Sequence, residues 1–455
     1  MKKLLSIFTF LLIALVSFAQ NDDSIFIRRI ADEILMNGKA YDDLHFLTKQ
    51  IGGRLAGSPQ MPKAEQWGLK TLQSLNPDKA WLQQCMVPHW VRGGKDEANA
   101  SFSGKKKVLD VIALGNSKGS GKSGVTGNVI EVKSFDELEA KKDQLKNKIV
   151  FYNYPFNQKF IRTFEAYGDA VRYRGAGASR AAKYGAKGVI IRSMSESTDN
   201  YPHTGSLRYD STYPLIPAVA IGLRDADWLS NQLKSGNVSV NMKTYGYFLP
   251  DTIGHNVIAE LTGSEFPNEY ITIGGHLDSW DPGEGAHDDG TGIVQTIEVL
   301  RVLKTLGYKP KHSIRFVLFA NEENGSKGGQ KYAEEGTAKG EKHIFALETD
   351  AGGFTPRGFG FTGPEQQFKK IQSWQPLLAP YGASEIERGG GGTDIGPLSR
   401  AQNTPLGEYL PDSQRYFDIH HTRNDVFENV NKRELELGAV NIAALIYLID
   451  KYGLE

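Results

Sequence analysis

Between Ile314 and Ala320 the chain reads IRFVLFA, a nearly unbroken apolar run of strand length. A strand apolar on both faces has to be covered on both faces, which is the situation inside a parallel sheet sandwiched by helices. The neighbouring sequence agrees. Val257 to Leu261, Tyr270 to Ile273 and Ile344 to Leu347 are further short apolar runs. Gly292 to Leu306 carries Ile293, Ile297, Leu300 and Leu303 at helical spacing, and a last helix is predicted from about Glu434 to Asp450. Alternating strands and helices specify an α/β domain with a mostly parallel central sheet flanked by helices.

Polar, chemically capable residues stand just beyond the strand ends. Ile271-Thr272-Ile273 runs into Gly274-Gly275-His276-Leu277-Asp278, Leu318-Phe319-Ala320 into Asn321-Glu322-Glu323, and Ala346-Leu347 into Glu348-Thr349-Asp350. In an open α/β sheet, ligands bind beyond the carboxyl ends of the strands. A polar loop, Ala286-His287-Asp288-Asp289-Gly290-Thr291-Gly292, opens the intervening helix, and Ile419-His420-His421-Thr422 precedes the last one. Taken singly these are weak signals, since most histidines are structural and most Glu-Glu pairs are solvated. Their joint placement at successive strand ends brings imidazoles and carboxylates to one edge. Such donors suit zinc, and a bridging carboxylate can hold two ions about 4 Å apart. Of two adjacent glutamates, one can bind metal and the other can act as base. Asp278 is expected to accept the second ring N–H of His276 and so fix its tautomer.

GGHLDSW, HDDGTG, NEENG, ETDAGG and HHT, in this order, resemble the co-catalytic zinc exopeptidases of metallopeptidase family twenty-eight. VPHWVRG at 87–93, SFDELEA at 134–140, PHTG at 202–205, IPAVAI at 216–221 and GGGGTDIGPL at 389–398 extend the resemblance over nearly the whole mature chain. The resemblance implies that His276 and Asp350 hold one zinc, that Glu323 and His421 hold a second, that Asp288 bridges them and that Glu322 is the general acid/base. Asp288 is preferred to Asp289 by its register with Gly292, and His421 to His420 by the Thr422 that follows it. His420 and His287 are expected at the cleft or in structural roles, and Asp425 beside the ligands. Gly391, Gly392, Thr393 and Asp394 match a loop that lies beside the substrate in relatives, where glycines would let a peptide main chain approach. Relatives that prefer C-terminal glutamate present an arginine cluster to substrate. No such cluster is visible here, since Arg388 and Arg400 are isolated. A homodimer is implied by resemblance alone.

Residues 108–247 have strand-like runs of their own, at Val108 to Leu114, Val129 to Val132, Ile149 to Tyr152 and Val189 to Ile191, with a small-residue helix in GAGASRAA. Ser134 followed by Glu137 predicts a capping box. This block is similar to a protease-associated β-rich domain inserted between 20–107 and 248–455, and carries no obvious catalytic cluster. Residues 1–19 read as a signal peptide, with Lys2 and Lys3, an apolar stretch to about Phe18, and Ser17 and Ala19 at the cleavage site. The stretch is short for a span, which needs roughly 20 residues, so no stable membrane insertion is expected and the mature chain is expected outside the cytoplasm. Lys+Arg and Asp+Glu both total 53, so no basic excess points to nucleic acid. Cys85 is the single cysteine, which excludes both an intrachain disulfide and a thiolate zinc site.

The reading is therefore a two-zinc exopeptidase acting on dipeptides or short peptides, of dipeptidase or carboxypeptidase type. An aminopeptidase shares the same ligands. A one-zinc glutaminyl cyclase and a binding protein without activity share the fold, but every metal ligand and the base are intact here.

Overall fold

The computed structural model describes residues 22–454, so the expected signal peptide at 1–19 lies outside them. In chain order the strands are β1 (Lys79–Val91), β2 (Glu97–Phe102), β3 (Lys105–Leu109), β4 (Val111–Ala113), β5 (Val125–Val132), β6 (Ile149–Tyr152), β7 (Gly188–Arg192) and β8 (Ala218–Ile221). They continue with β9 (Ser239–Lys243), β10 (Tyr247–Leu261), β11 (Phe266–His276), β12 (His312–Phe319), β13 (Lys342–Glu348), β14 (Pro356–Thr362), β15 (Glu385–Arg388) and β16 (Leu406–Pro411).

They form two eight-stranded sheets. The first runs β1-β10-β12-β11-β13-β16-β14-β15. Its centre, β12-β11-β13-β16, is parallel, as the apolar runs predict, and every residue of β12 is buried. Outside that centre β10 and β14 run antiparallel to their inner neighbours. The reason for β10 is the short link 262–265 between β10 and β11. A parallel crossover needs about a dozen residues or more, so this link can only reverse the chain. β12 then enters between the two arms. The helix Thr291–Thr305 and the long helix Lys432–Tyr452 cover the sheet, and Ile293, Ile297, Leu300, Phe316, Leu347 and Ile442 lie in its core. A first helix over 22–37 buries Ile27, Ile30 and Ile34 against the same core.

The second sheet, β3-β2-β9-β5-β6-β7-β8-β4, is contiguous in sequence and starts with β2, ahead of the boundary expected at 108. Its middle strands β5 to β8 are parallel, so this unit is itself α/β. The helix Thr163–Ala182 lies on it through small side chains. Gly177 is needed there, since a Cβ would stand 2.9 Å from the Tyr152 ring, and the Tyr152 hydroxyl donates to the Gly177 carbonyl at 2.9 Å.

Ser134 caps the helix Phe135–Ala140 by accepting from the Glu137 N–H at 3.0 Å, while Glu137 reaches past the expected partner to the Lys133 N–H at 2.7 Å. Ser134→Ala should cost about 1 kcal/mol, read as a lower denaturation midpoint at unchanged slope.

Candidate metal centre

The parallel centre delivers its functional side chains at the carboxyl edge. His276 is the last residue of β11, Glu322 and Glu323 follow β12, and Asp350 follows β13. His276 Nε2 lies 3.2 Å from Asp288 Oδ1 and 3.4 Å from Asp350 Oδ1. His421 Nε2 lies 3.1 Å from Asp288 Oδ2 and 3.1 Å from Glu323 Oε2. Asp288 thus faces both imidazoles, one with each oxygen, which is what a bridging ligand must do. His420 stacks on His421 with ring centroids 3.5 Å apart, but its Nε2 is 3.6 Å from Asp288 and has no glutamate partner. Two sets of donor atoms fall within 4.8 Å of one another: His276, Asp288 and Asp350, and Asp288, His420 and His421.

The electrostatics also ask for a cation. Burial pushes Glu323 up to about 8, and the Asp288 charge beside it adds to the push. Burial likewise raises Asp350 to about 6, with His276 pulling the other way. Burial would lower His421, but Glu323 and Asp288 reverse this and hold it at about 9. Burial would raise Asp288 too, but the His276 and His421 imidazoles hold it well below the usual carboxylate range. Glu323 and Asp350, reluctant to ionise, beside imidazoles reluctant to lose a proton mark a surplus of negative charge. Divalent metal relieves that surplus by displacing the protons. Glu323 Oε1 is buried without a hydrogen-bond partner, and the donors are all imidazole or carboxylate, so the set fits zinc.

The surrounding contacts separate ligands from supports. Asp289 Oδ2 accepts from the His276 N–H at 2.9 Å and its Oδ1 from the Gly292 N–H at 3.1 Å, so Asp289 fastens β11 to the helix start. Asp425 accepts from the N–H groups of His287 and Asp288 at 2.7 and 3.2 Å. His287 is structural: Nδ1 accepts from the Gly353 N–H at 3.1 Å, which leaves Nε2–H to donate to the Asn429 carbonyl at 3.1 Å. Asp278 differs from expectation. The Asp278 backbone carbonyl, at 2.9 Å, faces His276 Nδ1, while its carboxylate is 3.8 Å away. That carboxylate accepts instead from the N–H groups of Glu322 and Glu323, at 2.9 and 3.3 Å. It sets the turn that presents both glutamates.

A cavity of about 500 Å³ opens over the cluster. Of the glycine-rich loop only Thr393 lines it. Gly392 is required by its own fold, since a Cβ would stand 2.0 Å from the Glu348 carboxylate, and Asp394 is fully buried. The opposite wall comes from the second-sheet unit, whose resemblance to a protease-associated domain implies a cover over part of the cleft but no individual residues: Asn116, Tyr167, Arg174 and Arg208 all line the cavity. Sequence reading also missed Arg54, fully buried beneath the cluster, which donates to the carbonyls of Leu277, Glu284 and Gly285. Burial pulls Arg54 down to about 10 against the opposing charges of Asp425, Asp278, Asp289 and Asp288.

Residues 256–446 match the model of peptidase family M28. The chain is 34% identical over 416 residues to carboxypeptidase Q of Mus musculus, covering 90% of this chain and 85% of that protein. It is 34% identical to the Homo sapiens carboxypeptidase Q over 412 residues, with the same coverage. Among solved structures, the peptidase M28 precursor from Shewanella amazonensis superposes with a TM-score of 0.89 at 32% identity, over 94% of this chain and 97% of that one. A zinc aminopeptidase from Bacillus subtilis shares the fold, with a TM-score of 0.64 at 20% identity.

Proposed function

Since the chain belongs to peptidase family M28, it is a metallopeptidase, and we propose that it is a two-zinc exopeptidase cleaving dipeptides or short peptides that end in a free carboxylate. The observation that carries this reading is the polarity of the cavity. Its lining carboxylates are Asp288, Glu322, Glu323 and Asp350, all claimed by the metal cluster or by the base. None remains to anchor a substrate amine. The facing wall carries Arg208, exposed and with no ion-pair partner among the described residues. A guanidinium there suits a terminal carboxylate. The name carboxypeptidase Q of the relatives accords with this polarity, and the aminopeptidase reading finds no unassigned carboxylate in the lining to hold the amine.

His276, Asp350, Glu323, His421 and Asp288 would hold zinc, which when bound would supply Lewis acidity toward the scissile carbonyl and lower the pKa of a water. Glu322 lines the cavity without taking part in the imidazole contacts, and Asp278 fixes its main chain. Its carboxylate takes the proton as water oxygen bonds to the carbonyl carbon. It returns the proton to the amine as the C–N bond breaks.

Hydrolysis of dipeptides is compared with that of their C-terminal amides and N-acetyl forms. Cleavage of free acids and acetylated acids, with amides spared, is the expected result. Cleavage that needs the free amine and ignores amidation would make the enzyme an aminopeptidase. Arg208→Met should raise KM for free acids about tenfold, the value of one charge-assisted hydrogen bond, with kcat nearly unchanged. Among the described residues no helix is long and apolar enough to cross a membrane. We infer export from the signal-like residues 1–19, and N-terminal sequencing of the mature protein, expected to begin at Gln20, tests it.

A further inference from the structure

A metal-binding imidazole needs an acceptor on the nitrogen facing away from the ion, which fixes both tautomer and ring orientation. The two candidate histidines find theirs in different places. His276 uses the Asp278 carbonyl, two residues along its own loop. His421 Nδ1 lies 3.2 Å from the Thr204 carbonyl, 217 residues away in the second-sheet unit. The Thr204 N–H in turn donates to the His421 carbonyl at 3.0 Å. His421 has φ 61°, a left-handed conformation that is unfavourable for a residue with a side chain, so a contact that pins its main chain matters.

Arg174 closes the remaining side. It is buried, its Nη1 lies 3.4 Å from both His421 Nδ1 and the Thr204 carbonyl, and its Nη2 donates to the Tyr167 hydroxyl at 2.6 Å. The packing leaves no slack. Gly205 has φ 124°, and a Cβ on it would stand 2.4 Å from the Arg174 guanidinium and 2.7 Å from His421 Nδ1.

We propose that the second-sheet unit is part of the metal centre: the Thr204 main chain, backed by Arg174, orients His421 for the zinc it shares with Glu323 and Asp288. The His276 imidazole is oriented wholly within the peptidase sheet. Arg174 is then a positioning residue, and the two metal positions differ in their dependence on how the second unit is seated. This rests on the two-zinc reading above.

The test is zinc per chain during titration of the purified holoenzyme with a chelator, for Gly205→Ala, Arg174→Gln and Asp110→Asn. Asp110 holds Arg423 at 2.7 and 2.8 Å elsewhere on the same interface. In Gly205→Ala and Arg174→Gln one zinc should leave at about 10- to 100-fold lower chelator, the scale of lost support to a ligand, while the other is held as in the wild type. Asp110→Asn should titrate as the wild type. Unchanged zinc affinity in both Gly205→Ala and Arg174→Gln overturns the proposal, and so does an equal loss in Asp110→Asn, which would make any loosening of the interface sufficient. A wild-type protein that binds one zinc would instead overturn the two-zinc reading. Arg174→Gln adds no bulk and serves if Gly205→Ala does not fold.

Discussion

Glu322→Gln should keep its full zinc content and lose about two to four orders of magnitude in kcat, the range that a positioned general acid/base contributes. The substitution preserves size and shape. Glu322 makes none of the contacts that join His276, His421, Asp288, Glu323 and Asp350, so the ions have no reason to leave. Its main chain stays tied to Asp278. What the amide lacks is a basic oxygen to take the proton from water. Zinc analysis and steady-state kinetics on one preparation decide the matter. A variant with near wild-type kcat would remove Glu322 from the role, and one that had lost zinc would make it a ligand.

Asp288→Asn should disturb both metal positions at once. Its two oxygens face different imidazoles, at 3.2 and 3.1 Å, and an amide offers one acceptor oxygen in place of two. Zinc content should fall below one per chain after dialysis, with hydrolysis at background. Asp350→Asn, whose carboxylate meets only His276 among the imidazoles, should weaken one zinc and spare the other. If Asp288→Asn and Asp350→Asn proved indistinguishable in zinc content, Asp288 would not be the shared ligand.

The strand ends were legible because they combine two strong regularities: the apolar run of a doubly covered strand, and residues of metal-binding type immediately beyond it. β12 and β13 end within a residue of where their sequences indicate, while β11 continues through Gly274 and Gly275 to include His276. The place of β10 was less legible. Its apolar half looks like any other strand, and only the brevity of the link 262–265 reveals that it must reverse. The partners of Asp278 and of Gly392 were not legible, for a shared reason. Asp278 binds main-chain N–H groups and Gly392 makes room for Glu348, and neither partnership leaves a mark on the partner's residue type. Thr204 is the extreme case. Its main chain makes the contacts to His421, while its buried hydroxyl donates to the Ala113 carbonyl at 2.9 Å, so the residue type reflects the second contact and not the first. Only the glycine after it hints that something lies close.

β1 and β10 pair along their length, with Val91 opposite Tyr247, yet the entire second sheet lies between them in sequence. During synthesis β1 emerges long before its partner. Closing so long a stretch of slack chain costs about 4 kcal/mol in lost freedom. A second-sheet unit that collapses first, as contiguous domains do behind the ribosome, holds its two ends together and removes most of that cost. Its two ends then become a clasp that delivers β10 to β1. The peptidase sheet is in this sense the younger of the two, and a lesion that slows the inserted unit's own folding should delay every metal ligand, all of which lie downstream of it.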